Sequence, residues 1–259
     1  MKRSFFVALA VLVLVSPGLL LAGCGSSGGG SHAEAAIIDQ LYSVQPNQEF
    51  IDETTAVLNG YGFSVDLYQG DAVTVDLYRK LPSYGYKLII FRAHAGLLSH
   101  EETSGTAVTR ATCIFTNEPY TETAHVAEQL DGRLAKARVD EGYPTVFATG
   151  ARFTTRSMEG QFKDTVIIMM GCTCLYLTDL ARAFIDKGAS SYLGWDDLVT
   201  LDYVDDATLT IIRKLFADKL TLEDTVLQTI SEEGRDPYHG ATLRYFPWDK
   251  GDQNVEDLL

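Results

Sequence analysis

Two apolar runs constrain this chain more than anything else in it: Leu88-Ile89-Ile90-Phe91-Arg92-Ala93-His94-Ala95-Gly96 and Val166-Ile167-Ile168-Met169-Met170-Gly171-Cys172. Short, unbroken and rich in β-branched residues, both read as strands buried on two faces, as in a parallel sheet. Each ends in a side chain that can do chemistry. If the two strands lie side by side and parallel, His94 and Cys172 emerge together at the carboxyl edge of the sheet, where open α/β folds hold their ligands. A cysteine nucleophile and its histidine base need that spatial, not sequential, neighbourhood.

The elements around these runs alternate. Ala35–Asp39 reads as a first strand. A helix is expected over 48–59, where Phe50, Thr54, Val57 and Leu58 recur at helical spacing and Gly60 supplies the stop. A strand over 63–67, a helix from Asp71 to Leu81 before Pro82, and the strand leading to His94 complete β-α-β-α-β, the signature of a parallel sheet with helices on its faces. Between Leu97 and Asp164 the rhythm breaks: two β-rich runs, 106–116 and 145–153, enclose an expected helix from Glu122 to Arg138. The α/β order returns with a strand over 165–170, a helix over 177–186 stopped by Gly188, and a strand over 190–194. Helices over 205–220 and 222–233 and a closing tail follow.

In this order the chain resembles the caspase-like (clan CD) cysteine peptidases, the CHAT branch most of all. The resemblance runs from about Ala35 to Ile230. It is carried by His94-Ala95-Gly96 after one apolar strand and Gly171-Cys172 after the next, then by Asp179–Ala189 leading into Tyr192-Leu193-Gly194-Trp195-Asp196. It departs from the family where Ala95 separates His94 from the glycine and where Cys174 stands in place of a Ser or Thr. The fold implied is a three-layer α/β/α sandwich with a mostly parallel central sheet and a β-rich insertion between the His and Cys strands. The resemblance further implies Cys172 as nucleophile, His94 as its acid–base partner, and Gly96 and Cys172 N–H groups as oxyanion donors. It makes Asp39, Trp195 and Asp196 the residues of a pocket for Arg or Lys on the acyl side of the cut bond. The helix after Cys172 is expected to lower the thiol pKa through its positive end.

The first residues read as a sorting address. Lys2 and Arg3 precede an apolar stretch, and Leu21-Ala22-Gly23-Cys24 resembles a lipoprotein box. Residues 1–23 are expected to be removed, Cys24 to carry lipid, and 24–34, nearly all small residues, to tether a single domain of residues 35–259. That places the domain at the cell membrane, facing the outside or the periplasm. A transmembrane helix is the weaker reading, because Pro17-Gly18 interrupts a run already short for a span.

Loss of Lys2 and Arg3 takes the formal charge from −14 to −16. Such a body repels nucleic acid and anionic lipid and suits neutral or cationic partners, here a peptide or protein substrate. Cys113, Cys172 and Cys174 remain after lipidation. Their spacing does not match a zinc knuckle, so no metal and no cofactor is expected. A Cys113–Cys174 disulfide is left open by the sequence. No phosphate-cradling glycine loop and no Gly-x-Ser-x-Gly elbow follows a strand, which argues against nucleotide enzymes and serine hydrolases. The alternatives to a peptidase are a catalytically silent caspase-like module that binds a peptide or protein in the same groove and, more weakly, a flavodoxin-like small-molecule binder.

Overall fold

The computed structural model of the chain describes residues 34–101 and 108–259. Cys24, the sorting address and nearly all of the tether lie outside the described residues, so the readings placed on them carry no structural statement.

The first half of the fold is built from β1 (Ala35–Asp39), α1 (Gln48–Tyr61), β2 (Val65–Gln69), α2 (Val75–Tyr84) and β3 (Leu88–Arg92). The Asn47 side chain caps α1 by accepting the Phe50 N–H at 3.0 Å, and Thr74 caps α2 through the Leu77 N–H. Both ends differ from the sequence expectation. Gly60 stays inside α1, and the helix stops at Gly62, whose φ of 106° only glycine adopts readily. Pro82 is taken into the last turn of α2, buried beside Leu81 against the core, and Asp71 belongs to a short 3-10 turn before that helix.

The insertion is a second sheet. It consists of β4 (Ala95–Glu101), β5 (Val108–Pro119), α3 (Val126–Leu130), β6 (Leu134–Ala137), β7 (Val146–Gly150) and α4 (Ala151–Arg156), with strand order β4-β5-β7-β6, all antiparallel. The helix expected over 122–138 is therefore a correction: only five of its residues are helical. Gly132, at φ 69°, turns the chain and Leu134–Ala137 pairs with β7. Likewise the run 145–153 splits into β7 and the start of α4.

The chain then returns to the first sheet through β8 (Thr165–Met169), α5 (Asp179–Asp186) and β9 (Ala189–Trp195). After them come α6 (Leu201–Ile212), which continues as a π-helical turn over Arg213–Ala217, and α7 (Leu222–Glu233). What reads as a tail contains β10 (Leu243–Phe246) and α8 (Val255–Leu258). The first sheet runs β10-β9-β8-β3-β1-β2, every neighbouring pair parallel except β9 with β10.

Alternation along the buried strands divides the core into two layers. Ala36, Ile38, Ile89, Phe91, Ile167 and Met169 pack with α2, α5 and the inner face of the second sheet. Ala35, Ile37, Leu88, Ile90, Val166 and Ile168 pack with α1, α6 and α7. The protein is thus a mixed α/β fold around a mostly parallel central sheet covered on both faces.

Candidate functional site

Parallel pairing fixes where the two reactive side chains leave the sheet. Phe91 of β3 lies opposite Met169 of β8, and the Met170 N–H donates to the Phe91 carbonyl at 2.9 Å. His94 and Cys172 each follow three residues later, so they leave neighbouring strands at the same edge. The two exits touch. A Cβ on Gly171 would stand 2.6 Å from the Ala93 carbonyl oxygen and 2.6 Å from the Ala95 Cβ, so only glycine lets the chain before Cys172 lie against the residues flanking His94.

The side chains themselves turn to different surroundings. The His94 backbone is pinned from both sides: its N–H donates to Gln40 Oε1 at 2.9 Å and its carbonyl accepts the Phe115 N–H at 2.9 Å. The ring tilts toward Phe115 and lines a cavity, and its Nε2 is buried without a hydrogen-bond partner. Burial, reinforced by the nearby Arg92 charge, holds the imidazole pKa below its ordinary value, so the ring is neutral at pH 7. Cys172 packs at the edge of the α6 and α7 layer and donates its S–H to the Val199 carbonyl at 3.6 Å. Burial pushes its pKa up, and the Asp236 and Asp197 carboxylates add to the rise. Among the described residues no hydrogen bond joins this thiol to the His94 ring.

The expected helix-dipole effect on Cys172 is corrected here. α5 begins only at Asp179, seven residues on, the intervening residues form turns, and burial leaves the thiol harder, not easier, to ionise. The turn after Cys172 is itself strained: Thr173, β-branched, sits at φ 54°. Its hydroxyl donates to the Cys172 carbonyl at 2.7 Å and its N–H to the Asp197 carbonyl at 2.9 Å. Conformations of this cost cluster where a side chain must be presented.

Gly96 is the second residue of β4, opposite Cys113. Since the Phe115 N–H bonds the His94 carbonyl, the alternation of an antiparallel ladder directs the Gly96 N–H across to β5. Asp39 is fully buried. One of its oxygens accepts from Arg92 Nη1 at 2.8 Å, while Arg92 Nε and Nη2 grip both oxygens of Asp205 at 2.8 Å each. Gln69 and Asn47 complete the shells of the two carboxylates. Trp195 is fully buried at the end of β9, opposite Leu243. Asp196 accepts from the Thr242 N–H at 2.7 Å and from Arg244 at 2.8 Å. The residues predicted to line one acyl-side pocket are therefore spread out. β1 and β9 are three strand spacings apart, roughly 14 Å, and the two carboxylates each hold an arginine of this chain.

Cys113 and Cys174 are both buried free thiols; burial pushes Cys113 up to about 12 and Cys174 well above its ordinary value. Among the described residues no group of three or more His, Cys, Asp or Glu side chains is arranged to hold a metal ion, and no helix is long and apolar enough to cross a membrane. A scan against protein-family models and a search of curated proteins each returned no match.

Two features escaped the sequence reading. One is Arg92, whose position inside an otherwise apolar strand was the available signal, because a buried guanidinium requires carboxylates around it. The other is the cavity beside His94. Its walls come from five separate segments, and nothing local marks them.

Proposed function

We propose that this chain is a caspase-like cysteine peptidase in which Cys172 attacks the peptide carbonyl and His94 moves the proton. The observation that carries the reading is the register of β3 and β8, which brings both residues out of neighbouring strands at one edge. The order β2-β1-β3-β8-β9 with an antiparallel edge strand, β10, supports it. So does the strained turn at Thr173.

A neutral imidazole and a neutral thiol make a general-base pair rather than a preformed ion pair. In the first half-reaction the Cys172 proton passes to His94, the Sγ–C bond forms, and the peptide C–N bond breaks as His94 hands that proton to the leaving nitrogen. Water then gives a proton to His94 and its oxygen to the acyl carbon, and the S–C bond breaks to return the thiol. For the first step the Cys172 side chain rotates away from the Val199 carbonyl. Cleavage after Arg or Lys relies on Asp196 more than Asp39: Arg244 is half exposed and displaceable, whereas Arg92 is fully buried. Lipidation at Cys24 and an extracytoplasmic, membrane-anchored setting belong to the same proposal.

The thiol's bond to Val199 and its raised pKa favour a second reading, a silent module that binds a peptide at the same edge. Incubation of the full chain with a peptide mixture separates them. Turnover lost in both Cys172→Ala and His94→Ala but kept in Cys174→Ser is the expected result. No turnover in the parent chain, with equally slow alkylation of all thiols, favours the silent module. Turnover kept in His94→Ala removes His94 from the mechanism.

A further inference from the structure

The cavity that His94 lines measures about 240 Å³, below the roughly 300–1,000 Å³ of pockets that enclose whole small molecules. It has room for one large side chain. Its walls are mostly apolar: Val44, Phe115, Val139, Tyr143, Pro144 and Val146. The polar groups at its base are already committed. Gln40 Oε1 accepts the His94 N–H and Gln40 Nε2 donates to Asn117 Oδ1 at 2.6 Å, while Asn117 Nδ2 donates to the Gln40 and Gly70 carbonyls. His94 Nε2 is the buried polar atom left over. Asp71 is the one acidic side chain among the described lining residues, and no Lys or Arg is among them, so an acidic guest meets no counter-charge.

Resting on the peptidase reading, chemistry says which substrate residue comes here. His94 must deliver its proton to the nitrogen of the leaving amine from hydrogen-bonding distance. The Cα of the residue that owns this nitrogen is one bond further on, and its side chain has the cavity wall of His94 beside it. We propose that the cavity is a pocket for one large apolar side chain, aromatic or branched aliphatic, on the residue that follows the cut bond. The enzyme then selects substrates on the leaving side, where the cavity is open, as well as on the acyl side, where the carboxylates are engaged.

Two measurements test this on the full chain. In whichever peptide is cut, the residue after the bond is varied among Phe, Leu, Gly and Asp; Phe and Leu are expected to raise kcat/KM about ten-fold or more over Gly and Asp. Val44→Trp, at a partly exposed wall position, is expected to abolish that preference. Separately, Cys172→Ala is titrated with phenylalaninamide and glycinamide while the His94 ring resonances are followed by NMR; a saturable shift with the former alone is expected. Turnover indifferent to that residue, with no shift of the His94 ring, overturns the pocket and leaves the peptidase reading standing. A saturable shift without any turnover keeps the pocket as an apolar-ligand site and overturns the peptidase. Neither turnover nor shift overturns both.

Discussion

Burial biases both His94 and Cys172 toward their uncharged forms, lowering the pKa of the imidazole and raising that of the thiol. For His94 this has a consequence for stability. The unfolded chain protonates its imidazole near pH 6.5, whereas the folded chain, with the ring among Phe115, Gln40 and Asn117 and with Arg92 close by, does so only at lower pH. The contribution is therefore whole above pH 6.5 and is lost as pH falls through the folded value. Urea midpoints measured at pH 7 and pH 5 are expected to drop more for the parent chain than for His94→Ala, whatever the absolute stability of the variant. Equal drops would mean that His94 titrates as freely when folded as when unfolded, and the solvent-excluded ring would be wrong. Cys172 departs in the other sense: its raised value lowers stability once pH climbs past the unfolded thiol value near 8.5.

The elements that carry these residues are tied together beneath them by Arg92. It ends β3, grips Asp39 at the end of β1 and holds Asp205 on α6, all three side chains being essentially removed from solvent. Replacing Arg92 with Met leaves two buried carboxylates facing each other without a cation, and loss of one partner from a buried ion pair costs about 3–5 kcal/mol. Urea melts should show that loss for Arg92→Met, and Asp39→Asn with Asp205→Asn in the same background should restore a large part of it. An Arg92→Met protein as stable as the parent would show that the carboxylates find water instead. This triad also marks the limit of what the sequence discloses. β1, β3 and β8 were legible because their apolar runs are short, unbroken and flanked by turns, and the shared edge of His94 and Cys172 followed from them. Arg92's partners were not, since Asp39 and Asp205 meet it only after folding. The stretch 122–138 misled for a local reason: its apolar residues fit a helix as well as a strand, and Gly132 decides between them only by adopting φ 69°. The direction of the Cys172 thiol was equally hidden, because it depends on Val199 and Asp236 from distant parts of the chain.

At the scale of the whole molecule, the candidate site and the closing segment of the chain sit at opposite edges of the central sheet. His94 and Cys172 leave the carboxyl ends of β3 and β8, whereas the last residues of the chain close the other edge. There the Leu259 carbonyl accepts from Lys87, the residue just before β3, at 2.8 Å. Val255 and Leu258 of α8 are buried with α1, α6 and α7, and the Gln253 and Gly251 carbonyls accept the first N–H groups of α7. Deleting residues 252–259 exposes or removes two fully buried aliphatic side chains at about 1.5–3 kcal/mol each, a total of about 3–6 kcal/mol. Against the roughly 5–15 kcal/mol typical of a folded domain, that is a large share. The truncated chain is expected to melt well below the parent, yet at a temperature where both are folded the pH profile of Cys172 alkylation should coincide in the two proteins, because no group that faces the sulfur has been removed. A shifted profile in the folded truncated chain would show that the closing segment acts through α6 and α7 on the layer against which Cys172 packs, and the separation of the two edges would fail.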